Sequence, residues 1–231
     1  MEMITNEVKI KFTEKILGPL PKNPNIYRDW VQTKKDKDSP PDDESANVPA
    51  SDKTDEQLKG WTGFLQDEIG LFLYDYVLKG FLKYSATIMA EELKVKQLKS
   101  KVIKNVFVSG RKIYFIKNGK KFKEPDGFLE RGLQVMVATG PRNTLMRSDH
   151  LPAGTTITFR ISFRKFSPIT QKIINSLLEY GVFCGLCQWR TGGYGKFEVI
   201  SNKRISGEDR TMAPAEKKPV KKTAKKKSRA A

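Results

Sequence analysis

The stretch TTITFRISFRK, residues 155–165, alternates between polar and apolar side chains from Thr156 to Arg164. Successive side chains of a strand point to opposite faces, so its isoleucines and phenylalanines would lie on one face, with Arg160 and Arg164 on the other. This is the clearest strand in the chain. It predicts a sheet with one face in the core and a basic face turned away from it.

The residues after this strand predict a helix and then a last strand. Ser167 and Pro168 are types preferred at the N-cap and the first helical position, and Gly181 is the type that commonly follows a helix end. Val182–Leu186 and Lys196–Ile200 are strand-like. Between these two segments lies a glycine cluster, Gly192, Gly193 and Gly195.

The residues before the central strand complete the order of elements. Glu7–Thr13 alternates like a half-buried strand, and Lys79 to about Lys94 has the apolar spacing of an amphipathic helix. Val102–Val108 and Arg111–Lys117 predict a hairpin, and Leu133–Thr139 a further strand. With insertions ignored, the order is β-α-β-β-α-β, which predicts an α+β fold of the ferredoxin-like or RRM-like kind.

A polar segment interrupts this order. Thr33–Gly60 holds three prolines and carries eight acids against five lysines, a composition typical of mobile or disordered chain. The residues before it are too few to fold alone, so we expect one domain over residues 1–207, with a mobile insertion at 33–60. Residues 208–231 are expected to be a disordered, Lys-rich tail.

Net charge is the strongest global signal. The chain has 43 Lys and Arg against 26 Asp and Glu, a net charge of +17, and the tail from Lys217 supplies eight positive charges of that total. The folded part is therefore basic too, which favours a polyanion such as nucleic acid as partner. No apolar run approaches the roughly 20 residues of a membrane span, and no signal peptide is evident at the N-terminus, so we expect a cytoplasmic protein.

The glycine cluster lies within QWRTGGYGKFEV, residues 188–199. It matches neither a Walker A motif nor GxGxxG, because Arg190 and Glu198 stand where those motifs need glycine. Glycines with Arg190 and Lys196 beside them predict a loop whose backbone N–H groups and side chains contact phosphate. The alternative is a sharp loop or bulge of the last hairpin.

Basic and aromatic residues interleave, as in grooves that hold a single strand by its phosphates and stack its bases. We therefore predict a nucleic-acid-binding set, with Tyr194, and less directly Trp189, stacking on bases. Besides the glycine cluster, its members are Lys79, Lys83, Arg142, Arg147, Arg160, Arg164, Trp189, Arg190, Tyr194 and Lys196.

Other candidates for chemistry favour structural roles. Cys184 and Cys187 form a lone CxxC, too few ligands for a structural zinc, and are predicted to be buried in a strand. His150 is the only histidine and has no evident acid–base partner. Asp67, Glu68 and Asp75 fit solvated charges near the first helix. We expect no metal, no cofactor and no catalytic residue, with a ribonuclease that uses His150, Asp67 or Asp75 as the alternative.

Three segments together resemble the RAMP superfamily of CRISPR-associated proteins. They are the LKGFLK run within Tyr74–Met89, HLPAGTTITFRISF at His150–Phe163, and the glycine-rich Gly181–Val199. The resemblance implies a ferredoxin-like core, a C-terminal loop that touches the nucleic-acid backbone, and protomers arranged side by side along a strand. The N-terminal segment Lys9–Val31 looks like uncharacterised proteins of phages and prophages, which implies a phage-encoded protein in a bacterial host cell.

These observations predict a protein that binds single-stranded nucleic acid without reading its sequence, with DNA favoured over RNA, and that forms homo-oligomers. The insertion at 33–60 is a possible protein contact. Two alternatives remain open: a RAMP-type endoribonuclease, and an RNA-binding subunit or inhibitor of a CRISPR-type defence complex.

Overall fold

The computed structural model confirms the predicted α+β class. It describes residues 2–34, 48–49, 53–58, 60–138, 140–165 and 167–205. The α-helices of these residues are α1 (Pro24–Lys34), α2 (Asp55–Leu58), α3 (Asp75–Ile88), α4 (Leu98–Asn105), α5 (Gln171–Glu179) and α6 (Gly181–Cys184), and a 3₁₀ helix covers Arg190–Gly192. The strands are β1 (Met3–Phe12), β2 (Ile16–Leu17), β3 (Leu20–Pro21), β4 (Trp61–Gly63), β5 (Leu65–Gln66), β6 (Leu71–Tyr74), β7 (Val106–Ser109), β8 (Lys112–Tyr114), β9 (Ile116–Lys117), β10 (Lys120–Lys121), β11 (Gly127–Val137), β12 (Gly140–Leu151), β13 (Thr156–Arg164) and β14 (Phe197–Arg204).

The central sheet is built around the two strands with the strongest alternation. β1 lies between β13 and β14 and is antiparallel to both, and β7 pairs antiparallel with the other edge of β13. Along the chain these elements follow the order β1, α3, β7, β13, α5, β14. This is the β-α-β-β-α-β order that the sequence predicts, with the first and third strands adjacent in the sheet.

One face of this sheet forms the main core. Val8, Ile10 and Phe12 of β1 are fully buried, as are Ile157 and Ile161 of β13. Helices α3 and α5 supply the opposing apolar side chains of the same core. The other, outer face carries the polar positions of both strands, as the alternation predicts. Its exposed positions are Glu7, Lys9, Lys11, Thr158, Arg160 and Arg164.

Two smaller sheets complete the described strands. β11 and β12 form a long antiparallel hairpin, of which the sequence predicts only a part at 133–139. β12 continues through β4 to β3, and β6 joins β5 to β8. A second apolar cluster lies there, made of Leu20, Tyr27, Leu65, Phe72 and Tyr74.

The predicted hairpin at 102–117 is wrong. Leu98–Asn105 is helical, with Leu98 and Val102 buried in the core. β7 pairs with β13 in the central sheet, whereas β8 pairs with β6 in another sheet. A short apolar run does not distinguish a helix turn from a strand, and tertiary contacts decide its partner.

Helix boundaries also differ from those predicted. α3 begins at Asp75 and ends at Ile88, earlier at both ends than predicted. α5 begins after Thr170, whose side-chain oxygen accepts a hydrogen bond from the Ile173 N–H, so Ser167 is not the N-cap. The Ser167 hydroxyl instead donates to the Arg164 carbonyl at 2.8 Å.

The strand predicted at 182–186 is wrong as well. Gly181–Cys184 is a short helix, α6. Gly181 does not end α5 through a left-handed conformation; glycine is required because an added Cβ would lie 2.2 Å from the Phe197 ring. The main part of the insertion at 33–60 and the tail at 208–231 lie outside the described residues, although α2 lies within the insertion and buries Leu58.

Candidate nucleic-acid interface

The glycine-rich loop, residues 188–196, turns between α6 and β14 through left-handed backbone conformations. Trp189, Gly193 and Gly195 have φ values of 53°, 89° and 70°. An added Cβ at Gly195 would lie 1.9 Å from the Leu186 carbonyl oxygen, whereas at Gly193 it would meet nothing within 4 Å. Gly195 therefore allows a close backbone approach, and Gly193 leaves an open surface.

The backbone amides of the three glycines are used within the chain. The N–H groups of Gly192, Gly193 and Gly195 donate to the carbonyls of Trp189, Arg190 and Lys15. These three N–H groups are therefore not available to bind phosphate as the sequence predicts. Any anion at this loop would be held by side chains.

Arg190 projects from the loop onto α3. Its Cζ atom lies 5.0 Å from the centroid of the Tyr84 ring, and its Nη1 donates to the Cys184 Sγ at 3.6 Å. Both Arg190 and Tyr84 are exposed. The ring supports the guanidinium from one side and leaves its remaining N–H donors accessible.

A second arginine reaches the loop from the β11–β12 hairpin. The Arg131 Cζ lies 5.7 Å from the centroid of the Trp189 ring, and its Nη1 is 3.1 Å from the position of an added Cβ at Gly192. Trp189 and Tyr194 pack edge to face with their centroids 6.1 Å apart. Sequence reasoning missed Arg131 and Tyr84, because only the tertiary fold brings them to the loop.

These cations are not neutralised by nearby acids. Within the described part of the chain, no carboxylate forms an ion pair with Arg131, Arg190 or Lys196. We call Tyr84, Arg131, Trp189, Arg190 and Tyr194 the loop cluster.

Arg160 and Arg164 lie on another surface. They occupy exposed positions of β13, across from Glu7 and Met3 of β1. This is the outer face of the central sheet, whereas α3, which carries Tyr84, packs on the inner face. The structure therefore gives two separate basic surfaces rather than one.

Lys79 forms hydrogen bonds at the C-terminal end of α4. Its Nζ donates to the carbonyls of Val102, Ile103 and Val106. Burial, with a smaller effect of the Lys83 charge, lowers the pKa of Lys79 to about 8. Lys83 is half-buried one turn further along α3.

Arg147 and Arg142 lie on β12. The Arg147 side chain pairs with Glu130, and its Cζ is 5.5 Å from the centroid of the Trp61 ring. Arg142 is opposite Val135 in the hairpin; its side chain lies outside what the structure describes.

The alternative catalytic candidates occupy unrelated places. His150 is 9% exposed, with no hydrogen-bond partner at Nδ1 among the described residues, and burial lowers its pKa. Asp75 pairs with Arg111 at 3.2 Å, and Asp67 with Lys112 at 2.8 Å.

Both cysteines are free thiols. Burial raises the pKa of Cys184, and raises that of Cys187 to about 12. Across the described ranges, no group of three His, Cys, Asp or Glu side chains could hold a metal ion. No helix found there is long and apolar enough to cross a membrane.

No protein-family model matches this chain, and no curated protein matches it. Among solved structures, one similar chain belongs to the cryo-electron-microscopy structure of the Type III-B Cmr-beta bound to cognate target RNA, with 13% sequence identity and a TM-score of 0.49. The match covers 88% of this chain and 61% of that chain, so this chain spans less than two thirds of that chain's length.

Proposed function

We propose that this protein binds single-stranded nucleic acid through its phosphate backbone, without reading base sequence and without cleaving the strand. The observation that carries the proposal is the loop cluster. Arg131 and Arg190 come from different elements, each lies over an aromatic ring, and neither forms an ion pair with a described residue.

The chemistry of the loop cluster fits phosphate. A guanidinium presents a planar fork of donors that matches phosphate oxygens, and aromatic support keeps that fork oriented. Trp189 and Tyr194 lie beside the arginines and offer ring surface for unpaired bases, which duplex DNA does not expose. The outer-face residues Arg160 and Arg164 supply a second phosphate contact in this proposal.

A distant relationship to the RAMP superfamily is part of the proposal. It is supported by the three sequence segments that resemble that superfamily, which correspond in the structure to α3, to the entry into β13, and to the loop cluster with β14. Side-by-side protomers along one strand are proposed on the same resemblance, whereas a phage origin is proposed on the resemblance of Lys9–Val31 to proteins of phages and prophages.

Binding of labelled 40-mers tests the function. The full chain and a version ending at Gly207 are titrated with single-stranded DNA, single-stranded RNA and duplex DNA at two salt concentrations. We expect both versions to prefer single strands, with DNA bound more tightly than RNA, and the tail to add salt-sensitive affinity. Binding that vanishes with the tail would refute the proposal.

A charge-reversed pair tests the site. Arg131→Glu with Arg190→Glu should weaken binding at least tenfold and flatten its salt dependence. Lys99→Glu with Lys172→Glu makes the same charge change at exposed lysines of α4 and α5 and should have a much smaller effect. Equal losses in the two pairs would show that only net charge matters.

Incubation of a labelled strand with the protein tests for cleavage. We expect the strand to be recovered intact. Cleavage that is lost in His150→Ala would favour the ribonuclease alternative.

A further inference from the structure

An aromatic side chain lies on the otherwise polar outer face of the central sheet. On β7, Val106 is buried and Val108 packs against the core. Since side chains alternate along a strand, Phe107 between them points to the outer face. Its side chain is 44% exposed, whereas phenylalanines such as Phe12 and Phe115 are fully buried.

Register places Phe107 between two arginines. It lies directly across from Ser162 of β13, and the residues two positions either side of Ser162 on the same face are Arg160 and Arg164. Diagonal neighbours of this kind lie about 7–8 Å apart in an antiparallel pair, within reach of long side chains. The register therefore places Phe107 on the same face as Arg160 and Arg164, diagonally between their backbone positions.

The residues next to Phe107 on this face are small and polar. The Ser162 hydroxyl, which is buried, is 2.9 Å from that of Thr5 on β1. The Lys79 Nζ, from helix α3, lies 5.7 Å from the centre of the Phe107 ring. Among the described residues, neither Arg160 nor Arg164 forms an ion pair.

We infer that Phe107 is a base-stacking site, on which one unpaired base lies flat while Arg160 and Arg164 hold the phosphates on its two sides. The inference rests on the proposed function and adds a base contact to the phosphate contact proposed for the outer face. A base can use its π-face on Phe107 only when it is unpaired and unstacked, so this site selects single strands over duplexes and tolerates any sequence.

The test uses the full chain, single-stranded 40-mers and matched strands in which the central bases are removed but the phosphates remain. Phe107→Ala should weaken binding of the intact strand about tenfold and leave binding of the abasic strand unchanged. Phe107→Trp should retain or improve affinity, because it enlarges the ring. Since no charge changes, the salt dependence should stay the same.

Ile103→Ala provides the control. Ile103 is an exposed apolar residue of α4, exposed to about the same extent as Phe107, and its truncation should change neither strand's affinity. Thermal unfolding of each variant confirms that it is folded. Wild-type affinity in Phe107→Ala, or an equal loss for intact and abasic strands, would overturn the inference. If the otherwise unmodified protein binds no single strand after its tail is removed, the proposed function is overturned instead.

Discussion

The guanidinium carbon of Arg190 lies 5.0 Å from the centre of the Tyr84 ring, which joins the glycine-rich loop to helix α3. Since exposed cation–π contacts contribute only about 0.5–1 kcal/mol, the contact orients the arginine more than it stabilises the fold. Tyr84→Leu should therefore lower affinity for single strands several-fold while changing the free energy of unfolding by less than about 1 kcal/mol.

Tyr84→Phe is the matched control because it keeps the ring and removes only the hydroxyl. Titration with a labelled strand and urea unfolding measure the two effects separately. Equal affinities for the leucine and phenylalanine variants would show that the ring does not position Arg190.

Substitutions at Gly193 and Gly195 can distinguish the cost of a left-handed backbone from the cost of a steric clash. Both have left-handed φ values, but only Gly195 faces a carbonyl, at 1.9 Å from an added Cβ. Gly193→Ala should cost about 1–2 kcal/mol of stability from the left-handed conformation alone. Gly195→Ala should cost at least about 3 kcal/mol, because the chain must also move away from Leu186. Urea unfolding of both variants checks this difference; equal costs would contradict the close approach at Gly195.

Two strands of the central sheet, β1 and β13, could be predicted because each has one buried face. Residues 7–13 and 155–165 alternate over at least three buried positions, so the pattern determines which side chains enter the core. The segments at 102–108 and 182–186 are apolar runs without such a pattern. The helical conformation of 102–105 and 182–184 depends on tertiary neighbours, such as Phe197 against Gly181.

The candidate site shows the same limit. Trp189, Arg190 and Tyr194 lie within six residues of one another in sequence, so their proximity could be predicted. Arg131 contributes only because the β11–β12 hairpin folds back to the loop, which no local pattern indicates. The hydrogen bonds from Lys79 to carbonyl groups of α4 and β7 could not be predicted either, because the apolar run at 102–108 predicts a strand where α4 ends.

The two cysteines should react slowly with iodoacetamide. Burial raises the pKa of both thiols, to about 12 for Cys187, and only the thiolate is nucleophilic. At pH 8 both should be alkylated more slowly than free cysteine, and Cys187 more slowly than Cys184. Peptide mass spectrometry over time gives each rate.

The charge of Arg190 affects the pKa of both thiols. Its charge lowers the pKa of Cys184 and of Cys187, against the larger effect of burial. Arg190→Gln should therefore slow alkylation further, whereas Lys99→Gln, at an exposed position of α4, should leave it unchanged. Faster alkylation in Arg190→Gln would show instead that the arginine shields Cys184 from the reagent.

Lys79 makes stability depend on pH in alkaline solution. Its pKa is about 8 in the folded protein, against an ordinary value of 10.5. Between these values the unfolded chain binds a proton that the folded chain has lost, so the free energy of unfolding should rise with pH across this window. Below pH 8 both states are protonated and the contribution is constant. Lys79→Met removes this titration, and its difference from wild type should therefore change with pH only between about pH 8 and 10.5.

Urea unfolding at intervals of pH measures this difference. Met cannot donate hydrogen bonds to the α4 carbonyls, so the variant differs from wild type at every pH, and only the pH-dependent part of the difference reports the ammonium. Lys99→Met, which removes an exposed lysine of α4, should give a difference from wild type that stays constant over the same window. A constant difference for Lys79→Met as well would show that its ammonium is as well solvated in the folded chain as in the unfolded one, and that burial against α4 does not disfavour its charge.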